Sequence, residues 1–394
     1  METGVVFNKT NGNLATRLTS EDHISGLLFF GEAAPTEFDG ANYKQFFSVK
    51  EAEAAGITDE ANNAYRLVHY HIAEYFRVNP QSTLWVGLLD TPTTVENPIL
   101  DFQNFTDGQL RQLGIMYPPA TLITDLVSIV QGLHAQALLC YKEYMPLHVV
   151  YAPHLPTNLV VSSLPNLRTG TSYYCSVLIS QDGAGVGNAL FADLNHSVTA
   201  IGACLGAISL AKVHESIGWV GKFNMASTEL DVPALSNGKK MKELFVTDAA
   251  YEALNNKGYI FLRKLRGISG TYFNGSHTAV ALTNDFNSIE RNRTIDKAIR
   301  GVRAFLLPEF NRPLYVDAAG NLRPDILGYL ESKGKAFLEQ MFNEGEISNF
   351  GLLIDPTRNV IDTNEVIVNI AIQPVKANHF MLINIGFTST ITTQ

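Results

Sequence analysis

Short apolar runs alternate with segments of helical periodicity through the first two thirds of the chain. The runs at 27–30 (LLFF) and 84–89 (LWVGLL) are typical of buried strands, and apolar residues recur at helical spacing from Ala61 to Phe76 between them. A helix between two strands returns the chain so that the strands can pair in parallel. The alternation therefore predicts a doubly wound α/β sheet, with a β-α-β unit over 45–90.

The same pattern continues to about residue 266. We expect a buried helix over 120–143, because it is apolar on most faces, and a single helix over 190–214, whose Ala and Gly residues suit close packing on a sheet. Residues 251–265 predict a short helix, a glycine turn and a strand. Further strands are predicted at 112–116, 147–152 and 173–180.

Beyond Gly267 the pattern indicates a separate α+β domain. Its predicted helices lie at about 285–307 and 324–342, and its predicted strands at 364–372 and 379–387. On the first helix one apolar stripe is formed by Ile295, Ile299, Val302 and Leu306. The predicted organisation is an extended N-terminal arm at 1–22, the α/β domain at 23–266, the α+β domain at 267–387 and a C-terminal arm at 388–394.

The chain carries few charges for its length. Charged residues make up 17% of its 394 residues, against about 25% in typical soluble domains, and the net charge is −9. An acidic chain without a basic run lacks the surface that binds nucleic acid through its phosphates. The chain shows no secretory signal, and no apolar run approaches the ~18 residues of a membrane span. We therefore expect a cytoplasmic protein that buries surface in an assembly, without a membrane partner.

Residues able to carry chemistry are scattered. Cys140, Cys175 and Cys204 are far apart, which predicts buried reduced thiols. His69 and His71 are two apart, so they point to different faces of a helix and could chelate together only on a strand; the helical pattern around them favours the helix. His148, His154 and His196 lack a Cys or carboxylate at metal-ligand spacing, and no G-x-S-x-G elbow occurs. The sequence predicts no catalytic residue, no metal and no cofactor.

The glycine-rich segment SQDGAGVGNAL keeps one alternative open. Gly183, Gly185 and Gly187 follow a strand and precede a helix, where backbone N–H groups can face a phosphate. The spacing differs from the G-x-G-x-x-G fingerprint, and no G-K-S/T follows. A flexible loop is the simpler interpretation, and an α/β nucleotide-binding enzyme using Gly183–Gly187 is the alternative.

The order of motifs from 214 onwards resembles the contractile phage tail sheath family. In that family a helix ends in an acidic residue, Gly and Trp and is followed by Asn. A Leu-Asn-x-x-Gly turn and a glycine-rich entry to the C-terminal domain come next. The matching residues here are Glu215, Gly218, Trp219, Asn224, Leu254, Asn255, Gly258, Gly267 and Gly270. The chain departs from the family at His277-Thr278, where the family has Arg-Thr.

The resemblance implies a structural subunit of a contractile tail sheath, which polymerises around an inner tube and contracts to drive injection. It also implies an α/β domain likened to subtilisin, without a catalytic triad. The implied partners are other copies of the chain, the tail tube protein, and baseplate and terminator proteins. The implied location is a phage tail or phage-tail-like particle assembled in a bacterial cytoplasm.

The resemblance further implies that terminal arms add strands to a neighbour's C-terminal sheet and that the C-terminal domain lies innermost. The expected linking residues of the arms are Val5, Val6, Phe7, Phe387, Thr388 and Ile391. The expected acceptor sheet contains Val366, Val368, Ile370, Met381 and Ile383. The residues expected to face the tube are Glu331, Lys333, Lys335 and Glu339.

Overall fold

A computed structural model describes residues 21–90, 96–117, 123–244 and 248–377. Its strands are β1 (Ser25–Phe30), β2 (Tyr43–Phe46), β3 (Leu84–Leu89), β4 (Gln112–Met116), β5 (His148–Tyr151), β6 (Thr171–Ser172), β7 (Cys175–Leu178), β8 (Ser180–Asp182), β9 (Pro233–Leu235), β10 (Tyr259–Ile260), β11 (Leu262–Arg263), β12 (Tyr272–Phe273), β13 (Ala279–Val280), β14 (Ile347–Ile354) and β15 (Val368–Pro374). Its helices are α1 (Val49–Ala54), α2 (Arg66–Val78), α3 (Pro98–Phe105), α4 (Leu126–Lys142), α5 (Val186–Leu194), α6 (Ile201–Leu210), α7 (Met241–Leu244), α8 (Asp248–Asn256), α9 (Ile289–Leu306), α10 (Pro324–Asn343) and α11 (Val360–Thr363).

The main sheet has seven strands in the order β10-β7-β5-β4-β1-β3-β2. All neighbouring strands pair in parallel except β2, which is antiparallel to β3 at one edge. The mixed α/β class with a parallel-rich sheet is therefore confirmed. The β-α-β unit predicted over 45–90 is wrong, because two helices, α1 and α2, span that connection. They bring Leu84 back beside Phe46, where β2 ended.

Alternate side chains of the central strands enter two separate clusters of buried residues. Leu27 belongs to the cluster that contains residues of α2 and α6, and Leu28 belongs to the cluster that contains residues of α3 and α4. Gly114 of β4 lets α6 approach closely, since a Cβ there would lie 2.7 Å from the Leu205 side chain. The glycines of α6 itself lie against α2, where a Cβ on Gly202 would lie 2.2 Å from the carbonyl oxygen of His71. They serve close packing between two helices and not the packing on the sheet that was predicted.

Residues 190–214 form parts of two helices, α5 and α6, and the prediction of a single helix is wrong. The break lies between Asn195 and Thr199, whose φ angles of 55° and 61° are left-handed. Left-handed residues stop the i to i+4 hydrogen bonds of a right-handed helix. The predicted helix, turn and strand over 251–265 are found as α8, Gly258 with a φ of 89°, and β10 with β11.

The helix from Ile123 to Lys142 buries one face, and the expectation that most of it is buried is wrong. Its buried residues, from Leu126 to Cys140, lie three or four positions apart, and about a third of its most apolar 18-residue window is buried. By length and composition this helix could cross a membrane, contrary to our prediction that no segment could. One such helix is weak evidence for a span, because core helices of soluble proteins pass the same test.

The C-terminal unit combines α9, α10 and a two-stranded antiparallel sheet of β14 and β15. Gly301 of α9 lies under the ring of Phe337 in α10, where a Cβ would approach to 2.0 Å. The predicted helices over 285–307 and 324–342 are confirmed, whereas β14 was not predicted. Strand β15 begins later than the predicted strand at 364–372, and residues 379–387 lie outside the described residues.

Candidate functional site

The glycine loop before α5 is closed by the chain's own carboxylates. Glu229 accepts hydrogen bonds from the backbone N–H groups of Val186 (3.1 Å) and Gly187 (3.3 Å). Asp182 accepts a further bond from the N–H of Gly185. Burial raises the pKa of the Glu229 carboxyl, and the nearby Asp182 and Glu74 carboxylates raise it further, against the lowering effect of its two backbone bonds. A phosphate would meet anions in place of free N–H donors, so the nucleotide-binding alternative has no support.

A buried Ser–His pair lies at the amino end of the sheet. The Nε2 atom of His148 in β5 is 2.8 Å from Oγ of Ser176 in β7. Burial lowers the pKa of His148 to about 3, and its Nδ1 atom has no hydrogen-bond partner among the described residues. A catalytic base needs access to substrate and an orienting group on its other nitrogen. This pair has neither and is a core contact.

The carboxyl ends of β1 and β4 border a small crevice, the place where open α/β sheets bind ligands. Its lining includes Glu32, Tyr117, His154 and His196, and its volume is about 80 Å³. The rings of His154 and His196 are 6.3 Å apart, which their separation in the sequence did not reveal. Ligand pockets are usually about 300–1,000 Å³, so this crevice is too small for a nucleotide. Within the described ranges, no group of three or more His, Cys, Asp or Glu residues could hold a metal ion.

The three cysteines are buried and free, as predicted. Burial raises the pKa of Cys140 to about 12 and raises the pKa of Cys175 and Cys204 as well. A thiol held protonated in this way is a poor nucleophile. His69 and His71 lie on α2, as predicted. His69 is 3.2 Å from Glu53, and burial lowers the pKa of His71 to about 3.

A buried cluster of charges joins the C-terminal unit to the rest of the fold. We call it the ionic joint, and it consists of Asp22, Arg293, Asp296, Lys297, Arg300 and Glu346. The ammonium group of Lys297 lies 2.8 Å from Asp22 and 2.6 Å from Glu346. All three side chains are at least 85% buried. One lysine of α9 thus holds the start of the described chain and the segment that leads into β14.

Other residues of the ionic joint reach the α/β unit. Arg293 donates to the backbone carbonyl oxygens of Ala211 (3.2 Å) and Asp22 (2.9 Å). The hydroxyl of Tyr174 donates to Asp296 at 2.8 Å. Burial raises the pKa of Asp296 to about 6, despite the nearby arginines that lower it. The sequence did not predict the ionic joint, because charged residues on one face of a helix normally indicate that this face is exposed to solvent.

The expected strand-exchange residues are placed only in part. Val5, Val6, Phe7, Phe387, Thr388 and Ile391 lie outside the described residues, as do Met381 and Ile383. Val368 and Ile370 lie in β15, and Val366 precedes it. Ile370 is 40% exposed. The described half of the predicted acceptor sheet is therefore an apolar strand with an uncovered side chain.

The residues expected to face the tube lie on α10. Lys335 forms an ion pair with Glu331 at 3.0 Å. The ammonium group of Lys333 lies 5.6 Å from the ring centre of Tyr329, and Glu339 is exposed. Glu331 also accepts a 3.4 Å hydrogen bond from the N–H of Ile354 in β14. Their charged groups thus lie off the buried face of α10, although Glu331 and Lys335 are already paired with each other.

Two family models cover nearly the whole chain. The model described as DUF2586, N-terminal domain, matches residues 3–277, and DUF2586, C-terminal domain, matches residues 285–392. The chain belongs to the DUF2586 family. A sequence comparison with curated proteins finds no match.

Solved structures of contractile sheath proteins share the fold end to end. The helical sheath of the anti-feeding prophage in its contracted state aligns with a TM-score of 0.65 at 12% identity, covering 98% of this chain and 100% of that one. The sheath complex of the PVC extracellular contractile injection system gives 0.61 at 13% identity, with 99% and 98% covered. The sheath tail protein Lin1278 from Listeria innocua gives 0.56 at 12% identity, with 91% and 93% covered. The predicted likeness to the sheath fold is confirmed.

Proposed function

We propose that this protein is the structural subunit of a contractile sheath, which polymerises around an inner tube and shortens to drive injection. The observation that carries the proposal is the end-to-end likeness to a subunit solved within a helical sheath, covering 98% of this chain. Likeness over both units matters because a shared α/β unit alone would fit many functions. In this proposal the protein acts as a structural part of a contracting assembly and not as an enzyme.

The low charge of the chain and its closed candidate sites support this role. A subunit that buries much of its surface against copies of itself needs fewer charged residues than a monomer. The glycine loop is closed by carboxylates, the Ser–His pair is buried, and the crevice at the carboxyl edge of the sheet is too small for a nucleotide. The doubly wound arrangement of the main sheet and the division at about residue 266 are parts of the proposal.

The terminal arms are the proposed links between subunits. The prediction that the N-terminal arm extends to residue 22 is wrong, because Glu21 pairs with Arg111 and Asp22 pairs with Lys297 in the folded subunit. Residues 1–20 and 388–394 combine β-forming residues such as Val5, Phe7 and Ile391 with polar ones, which suits a strand added to another sheet. Main-chain hydrogen bonds provide such a link without strict sequence requirements. Subunits linked in this way can rotate and slide between an extended and a compact packing without separating.

Truncation of the arms tests the linking role. Deleting residues 2–20 or 388–394 should leave the melting temperature within a few degrees of the full chain, because the ionic joint begins at Asp22. Either deletion should abolish long tubes in electron micrographs. Tubes of normal length from both truncated proteins would refute strand donation, and a large fall in melting temperature would show that the arms belong to the fold.

Helix α10 is the proposed contact with the inner tube, through Glu331, Lys333, Lys335 and Glu339. Charge complementarity can set the register of two surfaces while allowing them to slide. The other proposed partners are baseplate and terminator proteins, in a particle assembled in a bacterial cytoplasm.

Charge reversal tests the tube contact. Replacing Lys333 and Lys335 by Glu should weaken co-assembly with the tube protein and leave self-assembly intact. The matched control replaces Lys239 and Lys240 by Glu, which changes the net charge equally in the α/β unit. Equal co-assembly of both variants, measured by co-sedimentation, would show that α10 does not face the tube.

A further inference from the structure

One lysine of the ionic joint contacts two buried carboxyl groups. The Nζ atom of Lys297 lies 2.8 Å from Oδ2 of Asp22 and 2.6 Å from Oε1 of Glu346. An amine and a carboxyl group that the fold holds in contact react as parts of one molecule, so little entropy is lost in bringing them together. Lys297 and Asp22 are therefore positioned to form an amide bond between their side chains.

The two carboxyl oxygens of Asp22 face different groups. Oδ2 faces Lys297, whereas Oδ1 lies 3.2 Å from the guanidinium of Arg300. When an amine attacks a carboxyl carbon, negative charge develops on one of the two oxygens, and a donor that is already in place stabilises this charge. Arg300 is such a donor for Oδ1 of Asp22.

Glu346 has the position and the environment of a proton carrier. Its Oε1 atom accepts a hydrogen bond from Lys297, and its Oε2 atom has no hydrogen-bond partner among the described residues. Burial raises the pKa of the Glu346 carboxyl, against the lowering effect of Lys297. A carboxylate in contact with a reacting nitrogen can take up its proton and return it to the leaving group.

Burial also favours an amide over the two ions. The side chains of Lys297 and Asp22 are 8% and 15% exposed, and removing charges from water costs free energy. An amide carries no charge, so its formation removes two buried ions. The pair of Lys264 and Asp231 is the contrasting case, because about half of each side chain is exposed and water stabilises both ions.

We propose that Lys297 and Asp22 condense into an intramolecular isopeptide bond. A proton passes from the ammonium group to Oδ2 of Asp22, which leaves a neutral amine and a carboxyl group. The amine attacks Cγ of Asp22, and Arg300 stabilises the charge on Oδ1. Glu346 takes a proton from the nitrogen and returns it to the Oδ2 hydroxyl, which leaves as water. One C–N bond forms and one C–O bond breaks, without an oxidant or a reductant.

The bond forms slowly, after the chain has folded. Burial lowers the pKa of Lys297, but Asp22 and Glu346 outweigh this effect and raise the pKa above its ordinary value. The neutral amine is therefore scarce at neutral pH, and the freshly folded protein holds the ion pair. The isopeptide bond accumulates with time and ties the start of the described chain to α9. It concerns one subunit and does not depend on the proposed sheath function.

Mass spectrometry of the full chain tests the bond. After prolonged incubation at neutral pH, the protein should be lighter by the mass of one water molecule. Protease digestion should then yield a branched peptide that contains both Asp22 and Lys297. A cyclic imide at an Asp-Gly step, such as the one at Asp39 or Asp107, would remove the same mass but leave the peptides unbranched.

Three variants test the roles of the side chains. Lys297→Arg keeps the positive charge but lacks the amine, so it should give no branched peptide. Glu346→Gln should slow formation of the branched peptide by about a hundredfold, a typical contribution of a positioned acid–base group. The matched control is Glu331→Gln, which changes a carboxylate paired with Lys335 outside the ionic joint and should leave the rate unchanged. Circular dichroism establishes that all three variants are folded.

The outcomes separate the bond from the ion pair. A branched peptide in the unchanged protein that is absent from Lys297→Arg supports the bond. An unchanged mass after incubation, in a protein that is still folded, would overturn the proposal and show that the joint stays ionic. A branched peptide that joins another pair of residues would also overturn it. Equal rates for Glu346→Gln and Glu331→Gln would overturn the role of Glu346 as proton carrier.

Discussion

The two faces of helix α9 differ in an unexpected way. The charged face, with Arg293, Asp296 and Lys297, is buried, and its groups have partners at the start of the described chain, in the α/β unit and in the segment before β14. Part of the apolar stripe, with the half-buried Ile295 and Ile299, lines an open groove. Helical periodicity correctly located this helix, but it did not reveal what each face contacts. Charge on a helix face does not prove exposure, and an apolar stripe does not prove that its own domain covers it.

The largest expected effect comes from removing the central lysine of the ionic joint. Lys297→Met keeps most of the side-chain volume but leaves Asp22 and Glu346 without their shared cation. Breaking one side of a buried ion pair costs about 3–5 kcal/mol of unfolding free energy. Urea denaturation at pH 7 measures it.

An exposed ion pair provides the matched control. Lys264 lies 3.0 Å from Asp231, with about half of each side chain exposed. Lys264→Met should change the unfolding free energy by less than about 1 kcal/mol, because exposed pairs contribute little. Similar losses of unfolding free energy for Lys297→Met and Lys264→Met would mean that the ionic joint stabilises the fold no more than an exposed ion pair does.

Asp296 on the charged face should make the stability of the protein depend on pH. The folded-state pKa is raised to about 6 from an ordinary value of 3.8, so the folded protein binds this proton more tightly than the unfolded chain does. The contribution of Asp296 to the free energy of unfolding is therefore full below about pH 4 and is lost as the pH rises through about 6. Asp296→Asn should therefore gain up to about 3 kcal/mol relative to the unchanged protein between pH 4 and pH 7.

Urea denaturation at four pH values in this window measures the relative gain. Asp285→Asn, which changes an exposed carboxyl just before the same helix, is the charge-matched control. A constant difference between Asp296→Asn and the unchanged protein across the window would show that Asp296 is not perturbed.

A pair of glycines tests how tightly α9 packs on α10. Gly301→Ala would drive a Cβ to 2.0 Å from the Phe337 ring and should cost about 1–3 kcal/mol of unfolding free energy. A Cβ on Gly328 of α10 meets no atom within 4 Å, so Gly328→Ala should stabilise the protein by up to about 1 kcal/mol. Thermal unfolding distinguishes the two. A neutral Gly301→Ala would mean that the helices are less closely packed than described.

The smallest expected effect lies at the rim of the groove beside α9, where the guanidinium of Arg303 lies 3.8 Å from the ring centre of Tyr144. Arg303→Ala removes the stacking on Tyr144 and should lower the unfolding free energy by about 0.5–1 kcal/mol, as for an exposed cation–π contact. The conservative Arg303→Lys should recover part of that loss. A loss as large as that of Lys297→Met would show that both faces of α9 support the fold equally.

Much of the fold followed from local pattern, and the rest depended on contacts between distant residues. Strand β4 and helix α10 match their predicted ranges closely, because β4 is a short, fully buried run and α10 carries apolar residues at helical spacing. Strand β14 was missed because Ser348 and Asn349 interrupt its alternation. The closure of the glycine loop by Glu229 and the burial of Lys297 against Asp22 have no local signal. Charged side chains acquire their partners only when the chain folds.

A helical reconstruction of tubes formed by the purified full chain tests the central claim most directly. The account predicts tubes in which terminal segments of neighbouring subunits add strands to the sheet of β14 and β15, with α10 facing the lumen. A chain that stays monomeric at high concentration, with or without an inner tube, would contradict the sheath function. Tubes in which every terminal segment packs on its own subunit would leave the sheath role in place but contradict strand donation.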